Sequence, residues 1–97
     1  MTSADIRRAL LAEAADIVSN DRNTIYGEPE DTFARIATLW SSYLGVTIRT
    51  VDVANLMVLM KVARLATNPT HRDSWVDVAG YAACGWSSAA KVVRDSE

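Results

Sequence analysis

The stretch Val51-Asp52-Val53-Ala54-Asn55-Leu56-Met57-Val58-Leu59-Met60-Lys61-Val62-Ala63-Arg64-Leu65-Ala66 decides the fold. It has no glycine or proline, and its residues are mostly good helix formers or apolar. Thr50 precedes it and Asn68-Pro69 ends it, because proline cannot continue a helix and restricts the residue before it. Its apolar residues go almost all the way round, so it is expected to be the buried centre of a helical bundle. Four polar groups interrupt it. Asp52 and Asn55 share one side, while Lys61 and Arg64 share a nearly opposite one. One helix therefore cannot aim all four into one narrow pocket.

Working outward, three more amphipathic helices are predicted. The first runs from Ser3 to Ser19, with Thr2 or Ser3 as cap, Asp5 as the acid of a capping box, and Ile6, Leu10, Ala14, Ile17 and Val18 as its apolar stripe. A polar connection covers residues 20–29. Pro29 suits the first turn of the second helix, Glu28, Glu30 and Asp31 favour its N-terminus, and Gly45 ends it in a left-handed cap. Its apolar side carries Phe33, Ile36, Ala37, Trp40, Tyr43 and Leu44. The fourth helix starts near Thr70 or His71, with Gly80 as a close helix contact. After Gly85, residues 86–93 either continue it or form a short separate helix, and Arg94 onward is expected to fray. With short connections and little strand-like alternation, the chain is expected to be one all-α domain over residues 1–97, a bundle of four main helices.

Composition excludes several functions. The chain has 97 residues, 49% of them apolar, with 23% charged and a net charge of −2. That is too apolar for disorder and too acidic overall to coat a nucleic-acid polymer. No apolar run reaches the length of a membrane span. The N-terminal residues lack the basic-then-apolar plan of a signal peptide, so a cytoplasmic location is expected. The lone Cys84 sits among Ala82, Ala83 and Gly85 and reads as a packing residue.

Three polar clusters could carry chemistry. In Asp21-Arg22-Asn23-Thr24-Ile25-Tyr26-Gly27, Arg22 offers a planar fork for phosphate or carboxylate and Tyr26 a stacking face, although a plain connector would read the same way. Lys61 and Arg64 either clamp an anion or join an internal ion-pair network, for example Arg64 with Asp77. The fourth helix opens with His71, Arg72 and Asp73, and Asp73, Asp77, Tyr81 and Cys84 run down one face. Two carboxylates at i and i+4 could share Mg²⁺ with a phosphate, or equally favour the helix start and pair with cations. Trp40, Trp75 and Trp86 are expected in the core or at an interface.

The run Asp21-Arg22, Tyr26-Gly27, Phe33, Ile36-Ala37, Leu39-Trp40, Asp52-Val53-Ala54, Met57, Lys61, Arg64-Leu65, Asp73-Ser74, Asp77 and Ala79-Gly80-Tyr81 covers residues 10–83. In combination it resembles a family of small bacteriophage and prophage proteins. That family is similar to the all-α MazG-like nucleotide pyrophosphohydrolases and to phage domains associated with nucleotide modification. The resemblance implies a MazG-like bundle that binds a small nucleotide. Asp52-x-x-Asn55 and Ser74-x-x-Asp77 stand where MazG-type enzymes carry their magnesium-holding acids. Asn55 and Ser74 replace carboxylates there, which leaves Asp52, Asp73 and Asp77 as metal candidates.

The expected function is binding of a small nucleotide, its phosphates on Arg22, Lys61, Arg64 and His71 and its base against Tyr26, with sequestration of a host-defence nucleotide as one use. Two alternatives are a Mg²⁺-dependent nucleoside triphosphate pyrophosphohydrolase and a module that inhibits or recruits a host protein. The apolar excess further predicts a homo-oligomer.

Overall fold

The computed structural model describes residues 1–19 and 27–96. It contains four α-helices: α1 Ser3–Ser19, α2 Pro29–Leu44, α3 Thr50–Thr67 and α4 Arg72–Ser96. Among the described residues there is no strand, and no helix is long and apolar enough to cross a membrane.

The helix ends follow their local chemistry. The Asp5 backbone N–H donates to Thr2 Oγ1 and the Thr2 N–H donates to Asp5 Oδ2, both at 3.0 Å, so α1 opens on a reciprocal capping box. Pro29 occupies the first turn of α2, with Glu30 and Asp31 beside it. Gly45 ends α2 at φ +71°, its N–H donating to the Ser41 carbonyl. Ser41 also holds the connector, since its Oγ accepts from the Ile48 N–H at 2.8 Å. The tight turn into α4 is pinned by the Trp75 indole N–H, which donates to the Pro69 carbonyl at 2.8 Å.

The core consists of Phe33 and Ala37 from α2, Val53 and Ala54 from α3, and Cys84 from α4, surrounded by Val18, Ile36, Trp40, Ile48, Met57 and Tyr81. Two glycines let helices approach closely. A Cβ on Gly85 would lie 3.1 Å from Ala54 Cβ, and one on Gly80 would lie 3.3 Å from a Val18 methyl.

Two expectations are corrected. The centre of the bundle is α4, which packs on all three other helices, most extensively on α3. The third helix is not buried all round. It buries Val53, Ala54, Lys61 and Leu65, while Leu56, Leu59, Met60 and Val62 remain 38–60% exposed. Among the described residues, α2 and α4 pack extensively on it, whereas α1 lies mainly against α4, so part of its apolar surface is left exposed. Of the two expectations for residues 86–93, the structure shows continuation, and the helix also runs on past Arg94, where fraying was expected: α4 is unbroken from Arg72 to Ser96.

Candidate functional site

The four helices enclose a cavity of about 310 Å³. Ala14, Ile17 and Val18 of α1 wall one side, and Phe33 and Ile36 of α2 with Met57 of α3 wall the others. From α4 come Val76, Asp77, Gly80, Tyr81 and Cys84, at the i, i+4 and i+7 spacing that turns one helical face inward. The lining is apolar apart from the Asp77 carboxylate, the Tyr81 phenol, the Cys84 thiol and Thr32. Tyr81 stands beside Phe33, ring centroids 6.2 Å apart and tilted by 40°.

Asp77 is the one charged residue on this wall among the described residues. Its Oδ2 lies 2.7 Å from Lys61 Nζ; the lysine side chain is 11% exposed and the aspartate 35%. A buried ammonium requires such a counter-charge, because removing either ion from water costs several kcal/mol. The Asp77 carboxylate, about one-third exposed, is also part of the cavity lining. The Cys84 thiol is 6% exposed, and its pKa is pushed up by burial and then by the negative charges of Glu30 and Glu28.

Of the residues named for phosphate, Lys61 is taken by Asp77. The internal ion pair is therefore Lys61–Asp77, not Arg64–Asp77, because Lys61 faces inward while Arg64 is exposed. Arg64 and His71 come together elsewhere, with Met60, Ala63, Thr67 and Asn68, in an open groove where α3 turns into α4. His71 Nδ1 lies 2.7 Å from the fully buried Ser74 Oγ, which holds the imidazole at the start of α4. Arg22 and Tyr26 lie outside the described residues.

The metal candidates do not converge. Asp52 is held by Arg49 at the start of α3: its Oδ2 accepts from the Arg49 backbone N–H at 2.8 Å, and the guanidinium donates to both oxygens at 3.0–3.1 Å. The Arg49 side chain, followed by its backbone N–H, holds the Asp52 carboxyl below the ordinary carboxylate range. Asp73 is exposed near the start of α4, whereas Asp77 faces the cavity. Among the described residues, no three His, Cys, Asp or Glu side chains are grouped so as to hold a metal ion.

Sequence reasoning placed Tyr81 and Cys84 on the face of Asp77 but gave neither a role in a site. The signal was that shared face. Phe33, Ile36 and Met57 carried no signal beyond apolarity, since a cavity-lining residue and a core residue have the same sequence pattern.

Residues 9–89 match the family model described as a domain of unknown function, DUF6378. The chain is similar to the Gene 55 protein of Mycobacterium phage D29, 49% identical over 76 residues, which covers 78% of this chain and 50% of that protein. It is also similar to the Gene 55 protein of Mycobacterium phage L5, 43% identical over 75 residues, covering 76% and 48% respectively. The chain thus spans about half the length of the curated relatives it matches. No solved structure matches it.

Proposed function

The chain belongs to the DUF6378 family, and from that premise we propose that it is a phage-type nucleotide-binding domain that holds the base of a small nucleotide in the cavity between its four helices. The carrying observation is an apolar cavity of about 310 Å³ with one carboxylate on its wall, half occupied by Lys61. Such a slot is largely apolar and offers Asp77 Oδ1 to an amino or ring N–H edge. The phenol of Tyr81 and the ring of Phe33 flank the base. Because Oδ1 is ionic, its hydrogen bond to the base contributes about 1.5–3 kcal/mol.

The volume lies at the small end of ligand pockets, which favours one base over an entire dinucleotide. Lys61 acts here by holding the Asp77 carboxylate in place on the cavity wall, and the phosphates extend beyond the cavity. Binding without turnover, and hence sequestration in the host cytoplasm, suits this residue set better than hydrolysis. The three acids named for Mg²⁺ are apart, and Asp52 is already committed to Arg49, so no metal-dependent step is assigned. Within this reading the MazG-like likeness describes a nucleotide site that has lost its metal ligands.

Isothermal titration with a panel of nucleoside mono-, di- and triphosphates tests the proposal. At least one base type should bind saturably at one per chain. Asp77→Asn should weaken it about tenfold or more. Ile17→Trp, which fills the cavity from α1 and leaves the ion pair intact, should abolish it. Absence of binding across the panel, or binding that survives Ile17→Trp in a folded protein, overturns the reading.

A further inference from the structure

The buried side of α4 is formed by Val76, Gly80, Cys84 and Ser88. The opposite side carries a second row: Trp75, Ala79, Ala82, Trp86, Ala89 and Val93. Their spacing alternates four and three residues, the heptad repeat of a helix that receives another helix. Trp75, Trp86 and Val93 are 47%, 71% and 60% exposed. No charged residue interrupts the row, which spans about 27 Å of helix. Asp77, Lys91, Arg94 and Asp95 all project from other sides of α4. A helix in contact with all three neighbours in its own chain thus also displays an apolar seam that remains partly exposed among the described residues.

We propose that this seam is the dimer interface of the protein, and that a second copy packs on it with α4 antiparallel to α4 about a two-fold axis level with residue 84. The row is complementary to its own two-fold image. In that register Trp86 faces Ala82 of the second copy, Trp75 faces Val93 and Ala79 faces Ala89. Each indole thereby meets a smaller side chain, and the alanine layers let the helix axes approach. A parallel pairing instead stacks Trp86 on Trp86 and leaves alanine against alanine one layer away, so the helix separation that suits one layer is wrong for the next.

The area is of the right order. At roughly 250 Å² for a whole indole, the exposed parts of Trp75 and Trp86 contribute about 300 Å² per protomer. With Val93 and the alanines, both protomers together come close to the approximately 1,000 Å² that a specific interface requires. An isologous contact of this kind closes at two subunits.

Sedimentation velocity with cross-linking tests the proposal on the full chain. The wild type should sediment as a dimer. Trp86→Glu, a change at an exposed position that leaves the intrachain core untouched, should weaken dimerisation about thirtyfold or more while preserving the helical circular dichroism spectrum. Leu59→Glu, on the exposed side of α3, should leave the dimer intact. An equal mixture of Ala79→Cys and Ala89→Cys proteins should form the mixed disulfide dimer on oxidation, and Ala82→Cys alone should not cross-link to itself. A monomeric wild type, a dimer broken by Leu59→Glu but not by Trp86→Glu, or self-cross-linking of Ala82→Cys would each overturn the proposal. Loss of nucleotide binding with the dimer intact leaves this interface standing, so the two readings fail separately.

Discussion

Lys61 Nζ and Asp77 Oδ2 lie 2.7 Å apart, joining the inner face of α3 to the wall of the cavity on α4. The lysine is nearly buried and the aspartate about one-third exposed, so the two ends of the pair have unequal access to water. That inequality decides what each substitution costs.

Asp77→Asn leaves a buried ammonium without a counter-charge, whereas Lys61→Met leaves a carboxylate that water can still reach. We expect Asp77→Asn to destabilise the fold by about 3 kcal/mol and Lys61→Met by about 1–2 kcal/mol. For a chain of this size the former lowers Tm by more than about 10 °C. Thermal melts of the two variants check the order; equal losses would show that the pair is solvated at both ends.

The helix contacts at glycine give a second contrast. Alanine at position 85 gains about 1 kcal/mol of helix propensity but drives its Cβ against Ala54 Cβ, which has no rotamer to yield. Overpacking of that kind costs about 1–3 kcal/mol, so Gly85→Ala should be net destabilising. Gly80→Ala meets a Val18 methyl, which can shift, and should be neutral within about 0.5 kcal/mol. Urea midpoints of the two variants measure the difference.

Asp52 supplies a pH test. Its folded carboxyl titrates below the ordinary 3.8 because Arg49 donates to it. The stabilisation is therefore complete above that value and disappears as the pH falls through the lower folded value. Asp52→Asn should melt below the wild type at pH 7, and the gap should close in acid below about pH 4. A gap that persists at pH 2 would mean that the charge of Asp52 is irrelevant to the cap.

Cys84 reports on the cavity itself. Buried, and with its pKa raised above the ordinary thiol value, it should react slowly with a disulfide reagent at pH 8 and faster as the pH rises past 9. A nucleotide that occupies the cavity should slow the reaction further, since Cys84 forms part of the lining. Unchanged kinetics at saturating nucleotide would place the ligand elsewhere.

The helices were legible in the sequence because their punctuation is local: Thr2 with Asp5, Pro29, Gly45 and Asn68-Pro69 each act within a turn of the residue they stop or start. Burial of the third helix was not legible. Leu56, Leu59 and Val62 are as apolar as Val53, and nothing local to them says that only two helices pack extensively on α3. The candidate site was half legible. The shared face of Asp77, Tyr81 and Cys84 follows from helical periodicity, but the choice of Lys61 over Arg64 as partner depends on how α3 is rotated against α4. That rotation is a property of the packed helices, which meet closely at Gly85 and Ala54, and it cannot be read from either helix alone. Asp52 read as a metal candidate for the same reason: a carboxylate in the first turn of a helix looks identical whether it meets an ion or its own neighbour Arg49.

The most direct test of the central claim is a map of backbone amide chemical shifts during titration with the tightest-binding nucleotide. The largest changes should fall on Phe33, Ile36, Asp77, Gly80 and Tyr81 around the cavity. Changes centred on Met60, Arg64 and His71 in the open groove, or no changes at millimolar nucleotide, would contradict it.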